Sequence, residues 1–224
     1  ANRKGIILFL ISFFLYIDGV YTVIDMATSF GTALGLESSG LLIALLITQV
    51  VAFPSAIVFG KLAGKVKNEL LITISICAYT FVGAFAIFMQ SMWQFWVLAV
   101  MVGLFQGGIQ ALSRSYFTKI IPAKHSGTLF GIMDIFGKGA AFLGTMLVSI
   151  VTQLTDSVNL GAIPIVCLFV AGLVMFIVTA RYNKPFIAQS QAEEAEALEA
   201  MQENAGGAAE NGGVNDAADS SAAN

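Results

Sequence analysis

One histidine and two cysteines in 224 residues leave little for metal or nucleophilic chemistry to use. Cys77 and Cys167 are far apart and show no CxxC spacing, which argues against a disulfide framework or a thiolate metal site; both read as buried, inert thiols inside apolar segments. The string GLESSG at 35–40 has the look of a nucleophile turn, but His125 falls in a joint on the opposite side of the apolar segments and cannot activate a serine there. Ser38 or Ser39 is better read as a helix N-cap. Charge is scarce too. Asp, Glu, Lys and Arg make up 11% of the chain against 57% hydrophobic residues, and the mean hydropathy of +0.83 excludes an ordinary soluble domain. No glycine-rich phosphate loop and no exposed basic patch is present, so nucleotides and nucleic acid are not expected partners. No internal joint is long enough to house a catalytic domain, so no enzyme, cofactor or metal is expected.

Long apolar runs are what the chain has instead. They cover about 6–28, 41–63, 70–89, 93–112, 127–151 and 162–180, each near the ~20 residues that a helix needs to cross a bilayer. A membrane β-barrel would show weakly alternating segments of about 10 residues, and a cleaved signal peptide an apolar core of about 7–15. Neither pattern fits. The prediction is an all-α membrane protein with a six-span bundle over 1–184 and a lipid bilayer as its surroundings. Residues 185–224 change to Ala, Gly, Asn, Asp, Glu and Ser with no base, which predicts an acidic, disordered tail, with a marginal acidic helix over 188–204 as the alternative.

Basic residues sort by joint. Arg3 and Lys4 precede the first span, Lys61, Lys65 and Lys67 follow the second, Arg114, Lys119 and Lys124 follow the fourth, and Arg181 and Lys184 follow the sixth. The alternate joints carry only Glu37 and Asp156. The bias of positive charge toward the cytoplasm then places both termini on that side.

Lys138 is the one cation left inside a span, and it has acidic company. In the first span Asp18, Tyr21, Thr22, Asp25, Thr28, Ser29 and Thr32 recur at helical spacing and form one polar stripe. Such a stripe avoids lipid tails, so it is either a structural seam or the lining of a cavity. Asp134 and Lys138 sit one turn apart on the fifth span. At ~1.5 Å per residue Asp18 lies about 18 Å in and Lys138 about 16 Å in from the same face. An ion pair between Asp18 and Lys138 is expected, with Asp134 competing, because an unpaired charge at that depth is costly. Gln106, Gln110 and Ser113 add amides and a hydroxyl on the fourth span, ending at Arg114 by the cytoplasmic mouth. The sixth span has almost no polar residue and reads as peripheral and lipid-facing. Gly60/Gly64, Gly103/Gly107 and Gly127/Gly131 have the spacing of close helix packing, and Pro54 is expected to kink the second span.

These residues support two functions. One is a secondary transporter for a small polar solute, with Asp18, Tyr21, Thr22, Asp25, Gln106, Gln110, Asp134 and Lys138 as the substrate or proton pathway, and Asp18 or Asp25 as a proton-coupling residue. The alternative is a non-transporting scaffold subunit whose stripe binds a partner helix; a channel is a third reading.

Six spans with a basic joint after the second resemble one half of a major facilitator superfamily transporter. The joint GKLAGKVKN at 60–68 is similar to that superfamily's conserved loop through Gly60, Leu62, Ala63 and Lys65, and departs from it at Gly64, where an acid is expected, and at Lys67. The resemblance implies a cytoplasmic gate at Gly60, Lys65 and Arg114, although a latch that uses the missing acid is not available. FFLYIDGVYTVIDMA (13–27), GGIQALSRSYFTKIIP (107–122) and GIMDIFGKGAAFLG (131–144) resemble the C-terminal half of the vacuole effluxer-like, autophagy-related family. That likeness implies a twelve-span carrier working by alternating access, amino acids as the plausible solute, a missing N-terminal six-span half or a second copy as partner, and, for a bacterial-type member, the inner membrane. The start at Ala1 agrees with a piece of a longer chain.

Overall fold

The computed structural model describes residues 3–122 and 125–219, with side chains to residue 190 and at 192. Six helices run through it: α1 (Arg3–Ala33), α2 (Ser38–Ala63), α3 (Asn68–Ala86), α4 (Met92–Thr118), α5 (Ser126–Thr155) and α6 (Ile163–Asp219), with a 3-10 turn at Asn159–Ala162 before the last. All six are long and apolar enough to cross a membrane. All but α3 reach or overrun the end of the predicted span, because uninterrupted apolar sequence gives a helix no reason to end until a turn residue or a charged joint stops it; α3 stops at Ala86, three residues before the expected end at 89. Gly35, in the left-handed conformation, makes the first such stop.

Two compact units divide the chain, Ala1–Asn183 and Lys184–Asn224. In the second, the backbone continues as helix to Asp219 where a disordered tail is expected. Ala, Glu, Gln and Met are strong helix formers, and they favour helix locally even where there is no core to bury. Residues 220–224 of that tail, and Lys124 among the cytoplasmic bases, lie outside the described residues.

In the first unit α1 is the central element. Of its most apolar stretch 61% is buried, against 22% for α2 and for α5. Phe9 and Tyr16 of α1 meet Tyr116 and Phe117 of α4 and Phe176 of α6 in an aromatic core, with ring centroids 5.2–6.1 Å apart. The Ser113 hydroxyl donates to the Ile109 carbonyl at 2.6 Å, which leaves its oxygen to accept the Tyr16 hydroxyl at 2.6 Å. These contacts correct the reading of the sixth span. Ile165, Phe169, Gly172, Phe176, Thr179 and Asn183 are buried at alternating spacings of four and three, while Val170, Val174 and Val178 face outward. Both faces are apolar in sequence, so composition could not separate them.

Three smaller expectations also change. Cys77 and Cys167 are exposed on the outer faces of α3 and α6 rather than buried. The N-cap of α2 is Glu37, and Ser39 donates to its carboxylate at 2.5 Å instead of capping the helix itself. Of the three glycine pairs, only Gly103/Gly107 receives a neighbouring helix: α2 passes so closely that a methyl on Gly103 would stand 2.6 Å from the Thr48 carbonyl and one on Gly107 would stand 3.1 Å from Ala56. Gly60, Gly127 and Gly131 face open space. Pro54 sits within the unbroken α2.

Candidate functional site

Tyr21 of α1, Gln110 and Arg114 of α4, and Asp134 and Lys138 of α5 come together around one cleft of about 400 Å³. Phe13, Ile17, Met133 and Gly137 complete its walls. The helical period accounts for the cluster. Gln110 and Arg114 are one turn apart, as are Asp134 and Lys138, so each pair projects from one face. Gly137 lies between the latter two and faces Phe13 of α1, with room there for no more than a methyl in ordinary contact with the ring.

Arg114 donates to Asp134 Oδ1 at 2.8 Å, the one ion pair among the described residues. Both side chains are about half exposed, at 58% and 46%, so this pair is accessible and open to exchange. Arg114, expected at the cytoplasmic mouth, reaches across the cleft to Asp134. Lys138 lines the same cleft and forms no ion pair among the described residues. Two cations and one carboxylate therefore face one small volume.

The predicted pairing of Asp18 with Lys138 does not form. Asp18 is fully buried against α5, where its Oδ1 accepts the Gly144 backbone N–H at 2.9 Å. Gly144 lies six residues beyond Lys138, about 9 Å further along the helix, which explains the missed contact. Asp134, the expected competitor, is taken by Arg114. Gly144 itself carried a signal that sequence reading passed over. Gly137, Ala140 and Gly144 make a run of small residues at spacings of three and four, all buried in the α1–α5 contact.

The remaining candidates separate. Thr22 and Gln106 line a second, larger cavity of about 870 Å³ with Thr48, Gln49 and mainly apolar neighbours such as Phe30, Leu45, Phe95 and Val102. Asp25 is exposed and lines neither space. Gly60 and Lys65 are exposed at the end of α2 and in the following turn, and of the three residues assigned to a gate only Arg114 reaches the cleft.

Comparison with known proteins agrees with this architecture. The family model described as "Vacuole effluxer Atg22 like" matches residues 2–184. The MFS-type transporter YxiO of Bacillus subtilis is 42% identical over 188 residues, covering 84% of this chain and 44% of that protein. Autophagy-related protein 22 of Saccharomyces cerevisiae is 30% identical over 168 residues, 70% of this chain and 32% of that protein; its Yarrowia lipolytica counterpart is 25% identical over 186 residues, 79% and 32%. The chain thus spans less than half the length of these relatives.

Proposed function

Because the chain belongs to the vacuole effluxer Atg22-like family, we propose that it forms six spans of a secondary transporter that carries a small zwitterionic solute of the amino-acid kind. The observation that carries this reading is the cleft at Arg114, Asp134 and Lys138. A solute carboxylate suits Lys138 and Arg114, and an ammonium group suits Asp134, so that a bound zwitterion replaces the Arg114–Asp134 contact with two contacts of its own. Tyr21 and Gln110 supply neutral hydrogen-bonding groups beside them. The second wall of the pathway is a further six-span unit, from the rest of a longer polypeptide or a second copy, and access alternates between the two sides as the units rock. Both termini face the cytoplasm, as the basic joints indicate.

Counterflow of a ¹⁴C-labelled amino-acid mixture in proteoliposomes holding the complete polypeptide tests this. Hydrogen bonds to charged groups contribute about 1.5–3 kcal/mol, so Lys138→Gln should weaken half-saturation by about 10- to 150-fold. Linear, non-saturating flux in the unaltered protein would remove the carrier reading, and unchanged half-saturation in Lys138→Gln would remove the cleft as the binding site.

A further inference from the structure

Asp18 is the most deeply placed carboxylate in the bundle, and the cleft does not use it. Its relative exposure is 0%, as is that of Thr22 one turn along the same face of α1. Its Oδ1 is fixed by the Gly144 N–H at 2.9 Å. Its Oδ2 is buried without a hydrogen-bond partner, and so is Thr22 Oγ1. Both side chains crowd the same point on α5: a methyl at Gly144 would overlap Thr22 Oγ1 and stand 2.9 Å from Asp18 Oδ1. The Asp18 carboxylate and the Thr22 hydroxyl therefore meet beside one backbone N–H, and the Thr22 side also borders the larger cavity.

Among the described residues no cation pairs with Asp18. The charged groups on the surrounding helices are committed or distant. On α5 they are Asp134, paired with Arg114 of α4, and Lys138, which faces the cleft. On α1 itself Asp25 is exposed and Tyr21 lines the cleft. The facing side of α6 brings Phe169 against Gly19 and Gly172 against Tyr16, neither ionisable. On α4 the amides Gln106 and Gln110 line the two spaces on either side, and neither is charged. A bare carboxylate sealed in such surroundings is strongly disfavoured, so its charge has to be met by something other than a side chain.

We infer that Asp18 and Thr22, braced by the Gly144 N–H, hold a small monovalent coupling cation, a proton or Na⁺, at a site separate from the solute cleft. A proton on the carboxyl group would be shared with the neighbouring Thr22 hydroxyl. A sodium ion would take the same two oxygens as hard ligands. Occupancy depends on how tightly α1 lies on α5, because parting them admits water to the carboxylate and lets the cation leave. This coupling role rests on the carrier reading; occupancy of the site does not.

Infrared absorption spectroscopy on the complete, purified protein decides the matter, with full spectra recorded in NaCl and in choline chloride and followed by thermal unfolding in the same two salts. A carboxylic-acid C=O band that is lost in Asp18→Asn and unaffected by Na⁺ identifies a proton. A band bleached by Na⁺, or no band together with a sodium-dependent rise in unfolding temperature that Asp18→Asn abolishes, identifies sodium. No such band and no sodium effect in the unaltered protein, or either signal persisting in Asp18→Asn, overturns the inference. Glu37→Gln, in the outer joint, is the control expected to keep both signals. Should Asp18→Asn not accumulate, Thr22→Val serves instead: loss of the hydroxyl shifts the band or weakens the sodium effect at least several-fold, and no change in either overturns the site. None of these measurements requires transport, so a protein that holds the cation yet carries no solute keeps this inference and loses the carrier reading.

Discussion

Gly144 shows how a residue without a side chain decides what a charged one can do. Asp18 reaches the backbone of α5 because nothing stands at the Cβ position there; a methyl would meet Thr22 Oγ1 and Asp18 Oδ1 at once. Gly144→Ala must push α1 away or turn both side chains out. Overpacking of this kind typically costs about 1–3 kcal/mol, so the expected result is a lower unfolding temperature in detergent together with loss of the Asp18-dependent infrared or sodium signal. Retention of both would mean that α1 and α5 are free to separate at this point. Lys138 and Asp18 differ in kind: the first is exposed at the cleft, and the second is buried.

Helices differ in how they use the same composition. The spacings Gly103/Gly107 and Gly60/Gly64 are indistinguishable by eye, yet α2 lies across the first pair and nothing lies within reach of Gly60. Gly103→Leu is therefore expected to destabilise the bundle by about 1–3 kcal/mol through overpacking, whereas Gly60→Leu stays within about 0.5 kcal/mol, as for surface positions away from special contacts. Unfolding midpoints of the two variants side by side test the contrast, and equal shifts would mean that α2 and α4 are not packed as described. The α6 helix makes the same point with bulk instead of space. Its inward strip, Phe169 and Phe176 above all, completes the aromatic core, while its valines face out. Truncating a buried Phe typically costs about 3–5 kcal/mol, so Phe176→Ala should lower the midpoint far more than Val174→Ala. The joint after α3 is held by side chains from outside it: the Gln94 amide oxygen accepts the Gln90 and Ser91 N–H groups at 2.8 and 3.0 Å. Asn159 donates to the Ile87 and Met89 carbonyls at 3.0 and 2.8 Å and so satisfies a helix end that no capping residue in the joint itself supplies.

At the scale of the molecule, apolar surface is exposed on the outer faces of all six spans while the polar groups gather inside. Leu46, Val50 and Phe53 on α2 and Ile135, Phe142 and Leu154 on α5 stand open, as expected for a bundle whose surroundings are hydrocarbon or another bundle. The two native cysteines lie on such faces. In membranes both should react with a permeant maleimide and resist a charged thiol reagent. Gln110→Cys, made with Cys77 and Cys167 replaced by Ser, should react with the charged reagent from one side of the membrane. Protection of that cysteine from both sides would turn the cleft into a closed seam and favour the scaffold reading over the carrier.

The sequence by itself determined the fold class and the count of spans, because a bilayer leaves an apolar chain of this length few solutions other than helices that satisfy their own backbone. Of the polar residues it singled out, Tyr21, Gln110, Asp134 and Lys138 line the cleft together with Arg114, which it assigned to a gate, while Asp18, Thr22, Asp25 and Gln106 do not; the helical period puts Gln110 with Arg114, and Asp134 with Lys138, on shared faces. Tertiary structure decided the pairings. Whether Asp18 meets Lys138 or Gly144, whether Arg114 guards a mouth or binds Asp134, and which face of α6 turns inward depend on the register and rotation of helices against one another. Those are set by small differences in how side chains interlock, and in an all-apolar span either face satisfies the hydrophobic pattern equally well, so the period carries no information about which one is chosen.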